Sequence, residues 1–316
     1  MNCSCEVHES IKWFQLVLYI PALIVGLILN ALALQTYCCK FKKWTETTIY
    51  MTNLAISDLV VLVTLPFKIY SYQYTYVNKT SCIVIKILYR INICISIFII
   101  TCISIDRYIA IKYPFKAMVL RSPTKAAVVS AVVWIFTIVW TISFSVVYHF
   151  SHNETSGTDS DITCIAKAYS KSVYVIPNLI LHLAIPLIIV AVCSFGIIKS
   201  LQQRNISNPG GLNMRKTMRI IVANAVVFIV CFLPFNIIVF VQVVMSHMQV
   251  DCTVLRQVCP FHQMTECIAN INCCLDGFCF YFVATEASEL YKNQNHQPNG
   301  TDNDQNMTFL SLWRSD

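Results

Sequence analysis

Charge is scarce in this chain: only 12% of its 316 residues are Asp, Glu, Lys or Arg, while 56% are hydrophobic. A soluble domain could not cover that much apolar side chain with so little polar surface, so a soluble globular fold is excluded. No Gly/Ser-rich linker and no internal repeat divides the chain into domains. No segment interleaves basic with aromatic residues, so the formal net charge of +7 does not point to nucleic acid. No cleavable leader is visible, because residues 1–10 are polar and acidic and the first apolar run is long enough to stay as a signal anchor. Lysine is missing from 263–285, which excludes a retinal-type Schiff base there. Nor is there the pair of matched, Gly/Pro-broken halves that an inverted-repeat transporter would carry.

What the chain does have is long apolar runs. A helix needs about 20 mostly apolar residues to cross the hydrocarbon. Seven stretches qualify, at 14–38, 49–72, 82–111, 126–148, 173–201, 218–245 and 263–285. The expected fold is an all-α membrane protein, a seven-transmembrane helix bundle. Its expected organisation is an outer amino terminus (1–13), one bundle domain (14–292) ending in a short amphipathic helix, and a disordered tail (293–316) rich in Asn, Asp and Gln.

Loop charge orients the bundle. Lys40, Lys42 and Lys43 follow the first span, Lys112, Lys116, Arg121 and Lys125 the third, and Lys199, Arg204, Arg215, Lys216 and Arg219 flank the 5–6 connection. Lys and Arg collect on the cytoplasmic side, so the amino terminus is expected outside, and the basic loops attract anionic membrane lipids. The glycosylation sequons at Asn2, Asn78 and Asn153 then face outward. Of 16 cysteines, those within spans read as small apolar packers. Cys3, Cys5, Cys252 and Cys259 are expected outside, where a bridge from the amino terminus to the 6–7 loop can form with partners left open. Pro66, Pro186 and Pro234 lie inside apolar spans, where each removes a backbone hydrogen bond and bends its helix.

Ionisable groups inside the spans are the functional signal, since a charge at mid-bilayer costs about 2.5–3.5 kcal/mol on insertion scales. Asp58 lies deep in the second span. Asn30, Asn92, Ser96, Asn272 and Asp276 fall at matching depths in other spans. These residues fit an interhelical hydrogen-bond network, or a site for a small hard cation such as sodium. Higher up, about 15 Å outward of Asp58 at 1.5 Å per residue, stands Lys68, while Lys86, Tyr89 and Arg90 share one face of the third helix. Three cations there imply an anionic guest. The competing reading sends Lys86 to the headgroups and pairs Lys68 with Glu266. Tyr70, Tyr74, Phe235, Phe240 and Met264 offer apolar surface nearby. At the inner end, adjacent Asp106 and Arg107 form a neutralised pair that a helix shift could release to a partner.

Together these residues resemble the rhodopsin-like family of G-protein-coupled receptors. The motifs are Gly26-Leu27-Ile28-Leu29-Asn30, Asn53-Leu54-Ala55-Ile56-Ser57-Asp58, Asp106-Arg107-Tyr108, Trp134, Pro186 and Cys231-Phe232-Leu233-Pro234, roughly one per helix in the family's order. Leu65-Pro66-Phe67-Lys68, Arg121-Ser122-Pro123 and Asn272-Cys273-Cys274-Leu275-Asp276 are similar to its purinergic-like branch.

The resemblance implies a plasma-membrane receptor rather than an enzyme, for an amphiphilic anion such as a lysophospholipid, lysophosphatidylinositol among them. A nucleotide or small aromatic acid is the alternative ligand. It implies that Lys68 and Tyr89 line the ligand pocket, to which the reading of the residues adds Lys86, Arg90, Phe235, Met264 and Glu266. A sodium ion would sit among Asp58, Asn92, Ser96, Asn272 and Asp276, and Phe232 with Pro234 would be the switch beneath the ligand. Asp106, Arg107, Tyr108 and Phe115 would contact a heterotrimeric G protein, with the twelve/thirteen class and Rho downstream, and Cys82 would pair with Cys164. Thr301, Thr308, Ser311 and Ser315 are the tail positions at which phosphorylation could recruit arrestin. The chain departs from the family pattern at Phe232, where Trp is usual, and at Asp276-Gly277-Phe278-Cys279-Phe280. Met214 stands where an acid would lock Arg107, so basal activity is expected.

Overall fold

The computed structural model describes residues 9–39, 44–73, 79–153, 175–207, 212–248 and 250–295. These residues form α1 (Glu9–Cys39), α2 (Glu46–Gln73), α3 (Lys79–Lys112), the short α4 (Pro114–Leu120), α5 (Pro123–Asn153), α6 (Val175–Leu179), a π-helical turn (Ile180–Ala184), α7 (Ile185–Ser207), α8 (Leu212–His247) and α9 (Cys252–Asn295). The helices extend past the apolar runs that predicted them, because polar end turns stay helical outside the hydrocarbon. Residues 293–295, expected in the tail, continue α9, as does the segment expected to form a separate amphipathic helix. The rest of the tail lies outside the described residues, with Asn2, Asn78, Cys164 and Tyr74; Asn153 closes α5.

Helix α1 packs on α2 and α9, and α9 on α8; α7 bridges α8 and α3, and α5 lies against α2 and α3. The ring thus closes around α3. Among the described residues six helices are long and apolar enough to span a membrane; the seventh, α9, carries Gln263, Asn270, Asn272 and Asp276 on its buried face. The core runs through the axis, with Ile95, Ile99 and Ile103 of α3 against Phe228 and Phe232 of α8, whose rings meet edge-on at 5.5 Å. Large apolar side chains such as Ile24, Ile28, Val132, Ile135, Ile188 and Phe195 point outward. A monomer rarely leaves that much apolar surface in water, and here lipid covers it.

The fifth span is broken by its proline. Pro186 has no N–H to return to the carbonyl of His182, so the preceding turn widens and Ile185 donates its N–H to Ile180 instead. Within this turn His182 is buried, Nδ1 3.1 Å from the carbonyl of Asn178, between the rings of Phe98 and Trp140.

Helices α1 and α9 approach closely through glycine. Asn30 donates to the carbonyls of Cys273 (2.8 Å) and Gly26 (3.0 Å), and a Cβ at Gly277 would lie 2.7 Å from that same amide nitrogen. Gly277→Ala would gain about 1 kcal/mol of helix propensity but displace Asn30 from two buried carbonyls, a loss of about 1–3 kcal/mol. A lower melting temperature of the solubilised protein is therefore expected, and an unchanged or higher one would refute the close contact.

Candidate functional site

Three polar layers run down the bundle. In the outer one, Lys68 of α2 is buried and meets Glu266 of α9, Nζ to Oε1 at 3.0 Å. Its ammonium lies 3.9 Å from the ring centroid of Tyr89 and 5.6 Å from that of Tyr19, an arrangement that supplies cation–π attraction as well as a counter-ion. The pairing weighed against a ligand role is thus present. Arg90 is half-buried with its guanidinium 5.2 Å from the Phe144 ring, whereas Lys86 is exposed. His262 is buried against Phe235, ring centroids 5.5 Å apart. It lies within electrostatic reach of Glu266, Arg90, Lys86 and Lys68. Neither Tyr19 nor His262 was singled out from sequence; a tyrosine and a histidine in apolar runs gave no cue until the helices met. Met264 is half-buried, but Tyr70 and Phe240, expected to offer pocket surface, are 53% exposed and turned away from the interior.

The middle layer is fully buried. Asn92 of α3 donates to Asp58 Oδ1 at 2.9 Å and to Ser57 Oγ at 3.0 Å. Asp58 Oδ2, Ser96 Oγ, Asn272 Oδ1 and Asp276 Oδ2 are buried oxygens without a hydrogen-bond partner, and Asp276 lies within electrostatic reach of Asp58. Buried polar atoms are nearly always paired. Two carboxylates with hydroxyl and amide oxygens are the donor set a hard cation takes, so these residues fit sodium. Phe232 is buried directly against Phe228, and Asn236 caps its carbonyl at 2.8 Å beside the bend residue Pro234.

The inner layer differs from the expected two-residue pair. Asp106 lies 3.6 Å from Arg107, but its nearer partner is Arg121, whose Nε reaches Oδ1 at 2.8 Å and Nη2 reaches Oδ2 at 3.3 Å. The same Nη2 also donates to Glu46 of α2 at 3.0 Å, and Thr47 donates to Asp106 at 3.3 Å. Tyr108 leans on α7 so closely that a Cβ at Gly196 would clash with its ring. Its hydroxyl accepts from Lys112 at 2.7 Å. Phe115 on α4 is 82% exposed and is joined by exposed Met118 and Val119. Trp134 of α5 donates to Asn53 of α2 at 3.1 Å. Cys82 and Cys259 are each disulfide-bonded. The side chains of Met214 and Phe280 lie outside the described residues.

A polar column inside an apolar seven-helix ring is a receptor's arrangement, and residues 29–280 match the 7 transmembrane receptor (rhodopsin family) profile. The chain belongs to the rhodopsin family of seven-transmembrane receptors. Relatives agree over nearly the whole length. G-protein coupled receptor 35 of Homo sapiens is 35% identical over 269 residues, covering 84% of this chain and 82% of the relative. G-protein coupled receptor 55 of Mus musculus is 35% identical over 305 residues, 90% of each. Lysophosphatidic acid receptor 4 of Homo sapiens is 33% identical over 293 residues, 89% of this chain and 78% of the relative. This rhodopsin-family receptor falls in the purinergic-like branch and is a multi-pass membrane protein, a receptor and not an enzyme.

Proposed function

We propose that this receptor answers an amphiphilic anion, a lysophospholipid such as lysophosphatidylinositol, and passes the signal to a heterotrimeric G protein of the twelve/thirteen class, with Rho activated downstream. The observation that carries the ligand class is the outer layer. Lys68, Lys86, Arg90 and Glu266 all lie within electrostatic reach of His262, and Lys68 holds the Glu266 carboxylate, beside the apolar surface of Phe235 and Met264. A headgroup phosphate meets the cations, and an acyl chain meets the apolar wall. Lysophosphatidic acid receptors 4 and 6 are among the relatives, which supports the same class. A nucleotide or small aromatic acid satisfies the cations but leaves that wall unfilled. The amino terminus lies outside at the plasma membrane, a reading supported by the basic residues of the opposite loops.

Binding pulls α2, α3 and α9 together around the headgroup and biases α8 to swing about Pro234. That motion uncovers Arg107 and Tyr108 to the G protein, while Phe115 of α4 packs against it. A panel of lysophospholipids and nucleotides applied to cells reporting Rho and calcium should give a Rho response to a lysophospholipid at the lowest concentration. Nucleotide selectivity would reverse the assignment.

Sodium would be held by Asp58, Ser96, Asn272 and Asp276, with Asn92 orienting Asp58. It would supply positive charge where two carboxylates face each other, favouring the resting packing. Asp58→Asn is expected to remove the sodium dependence of agonist affinity; retained dependence would make the cluster purely structural.

A further inference from the structure

We propose that Cys38 and Cys39, the last two residues of α1, form an S-acylation site that takes a long-chain fatty acyl group from an acyl-coenzyme A thioester. Cysteine is among the most buried residue types, and the other free cysteines of the described residues obey this: Cys94, Cys193, Cys231, Cys267 and Cys273 are buried, and Cys102, Cys274 and Cys279 half-buried. Cys38 and Cys39 alone among them are exposed.

Their direction is set by their neighbours. Thr36 and Tyr37 are buried, and the Tyr37 hydroxyl meets Met51 Sδ of α2 at 3.2 Å, which fixes the rotation of this last turn. At 100° per residue the next two positions swing to the opposite side, Cys39 in line with outward Val25, Ile28 and Leu32, and Cys38 in line with outward Ile20 and Ile24 beside them. The thiols therefore end a lipid-facing stripe at the membrane boundary. Exposed Trp44, an interfacial residue type, follows, and the sequence between carries Lys40, Lys42 and Lys43. An acyl chain on either sulfur can lie along that stripe, and a basic run beside it supplies the second signal that makes membrane attachment stable. No cysteine occurs from 280 to 316, so nothing in that stretch offers an alternative acceptor.

The transfer balances without an oxidant. The cysteine sulfur attacks the acyl carbon, a new C–S bond forms as the bond to coenzyme A breaks, and coenzyme A leaves as its thiol with the cysteine's proton.

The inference rests on the reading that this end of α1 faces the cytosol, where acyl-coenzyme A is found. Two measurements on the full chain in cells separate the two. Hydroxylamine-dependent exchange of thioester-linked groups for a polyethylene glycol maleimide should retard the wild type on a gel. Cys38→Ser and Cys39→Ser should each reduce the shift, and the double variant should abolish it at unchanged surface level. An impermeant maleimide applied to intact cells should give no label that the double variant removes. A shift absent from the wild type, or kept by the double variant, overturns acylation while leaving the orientation intact. External labelling of these two thiols overturns the orientation itself, and the proposal with it.

Discussion

Arg121→Ala should cost the receptor about 3 kcal/mol of stability, the low end of what breaking a buried ion pair from one side costs. The guanidinium holds both oxygens of Asp106 and one of Glu46. All three side chains are no more than 10% exposed, so removing the cation takes the guanidinium from buried Glu46 and leaves buried Asp106 with only the more distant Arg107 and the Thr47 hydroxyl. It also unties the α4–α5 junction from α2 and α3. Arg121→Lys keeps the charge without the planar fork that spans two acids, so it should recover only part of the loss. Thermal unfolding in detergent measures this. A variant within about 0.5 kcal/mol of the wild type, the usual range for a surface substitution, would mean the knot holds nothing.

For Lys68→Ala, the expectation is a loss of potency of about 100-fold or more for an anionic lipid, about 3 kcal/mol at 1.4 kcal/mol per tenfold. An ammonium has three donors and Glu266 takes one, so the remaining charge density can serve a phosphate. The single variant also leaves Glu266 without its nearest counter-ion, and surface level should fall. Lys68→Ala with Glu266→Gln should restore the surface level but not the response. That split separates ligand recognition from folding; an unshifted dose–response for Lys68→Ala at equal surface level would remove Lys68 from the pocket.

Most of the site was readable as a set of residues and very little as a set of partners. Asp58, Asn92, Asp276 and Lys68 stood out because an ionisable or amide group in a hydrophobic run is costly, and that cost depends on one helix alone. That Asn92 and Asp58 share a depth was legible; that Asn92 donates to Asp58 was not, because the sequence left a hydrogen-bond network and a cation site equally open. Nor was it legible that Arg121 rather than Arg107 is the nearer partner of Asp106, because it depends on where α4 returns the chain, and the positive-inside pattern treats every loop cation alike. Tyr19 under Lys68 and His262 beside Phe235 were missed for the same reason: an aromatic in an apolar span is indistinguishable from packing until its neighbours are known. The widened turn at Ile180–Ala184 follows from Pro186, whose effect was foreseen as a bend and found as a change of hydrogen-bond register.

Hydropathy, loop charge and the order of short motifs were enough to establish seven membrane helices, their family and the depth of each polar residue, because in lipid every span must satisfy its own backbone and each misplaced charge shows against an apolar background. Which charges meet was decided by the rotation and packing of whole helices. Lys68 finds Glu266 198 positions away, and Arg121 finds Glu46 75 positions away. Such pairings are set by interfaces between helices, and no window of one helix contains them.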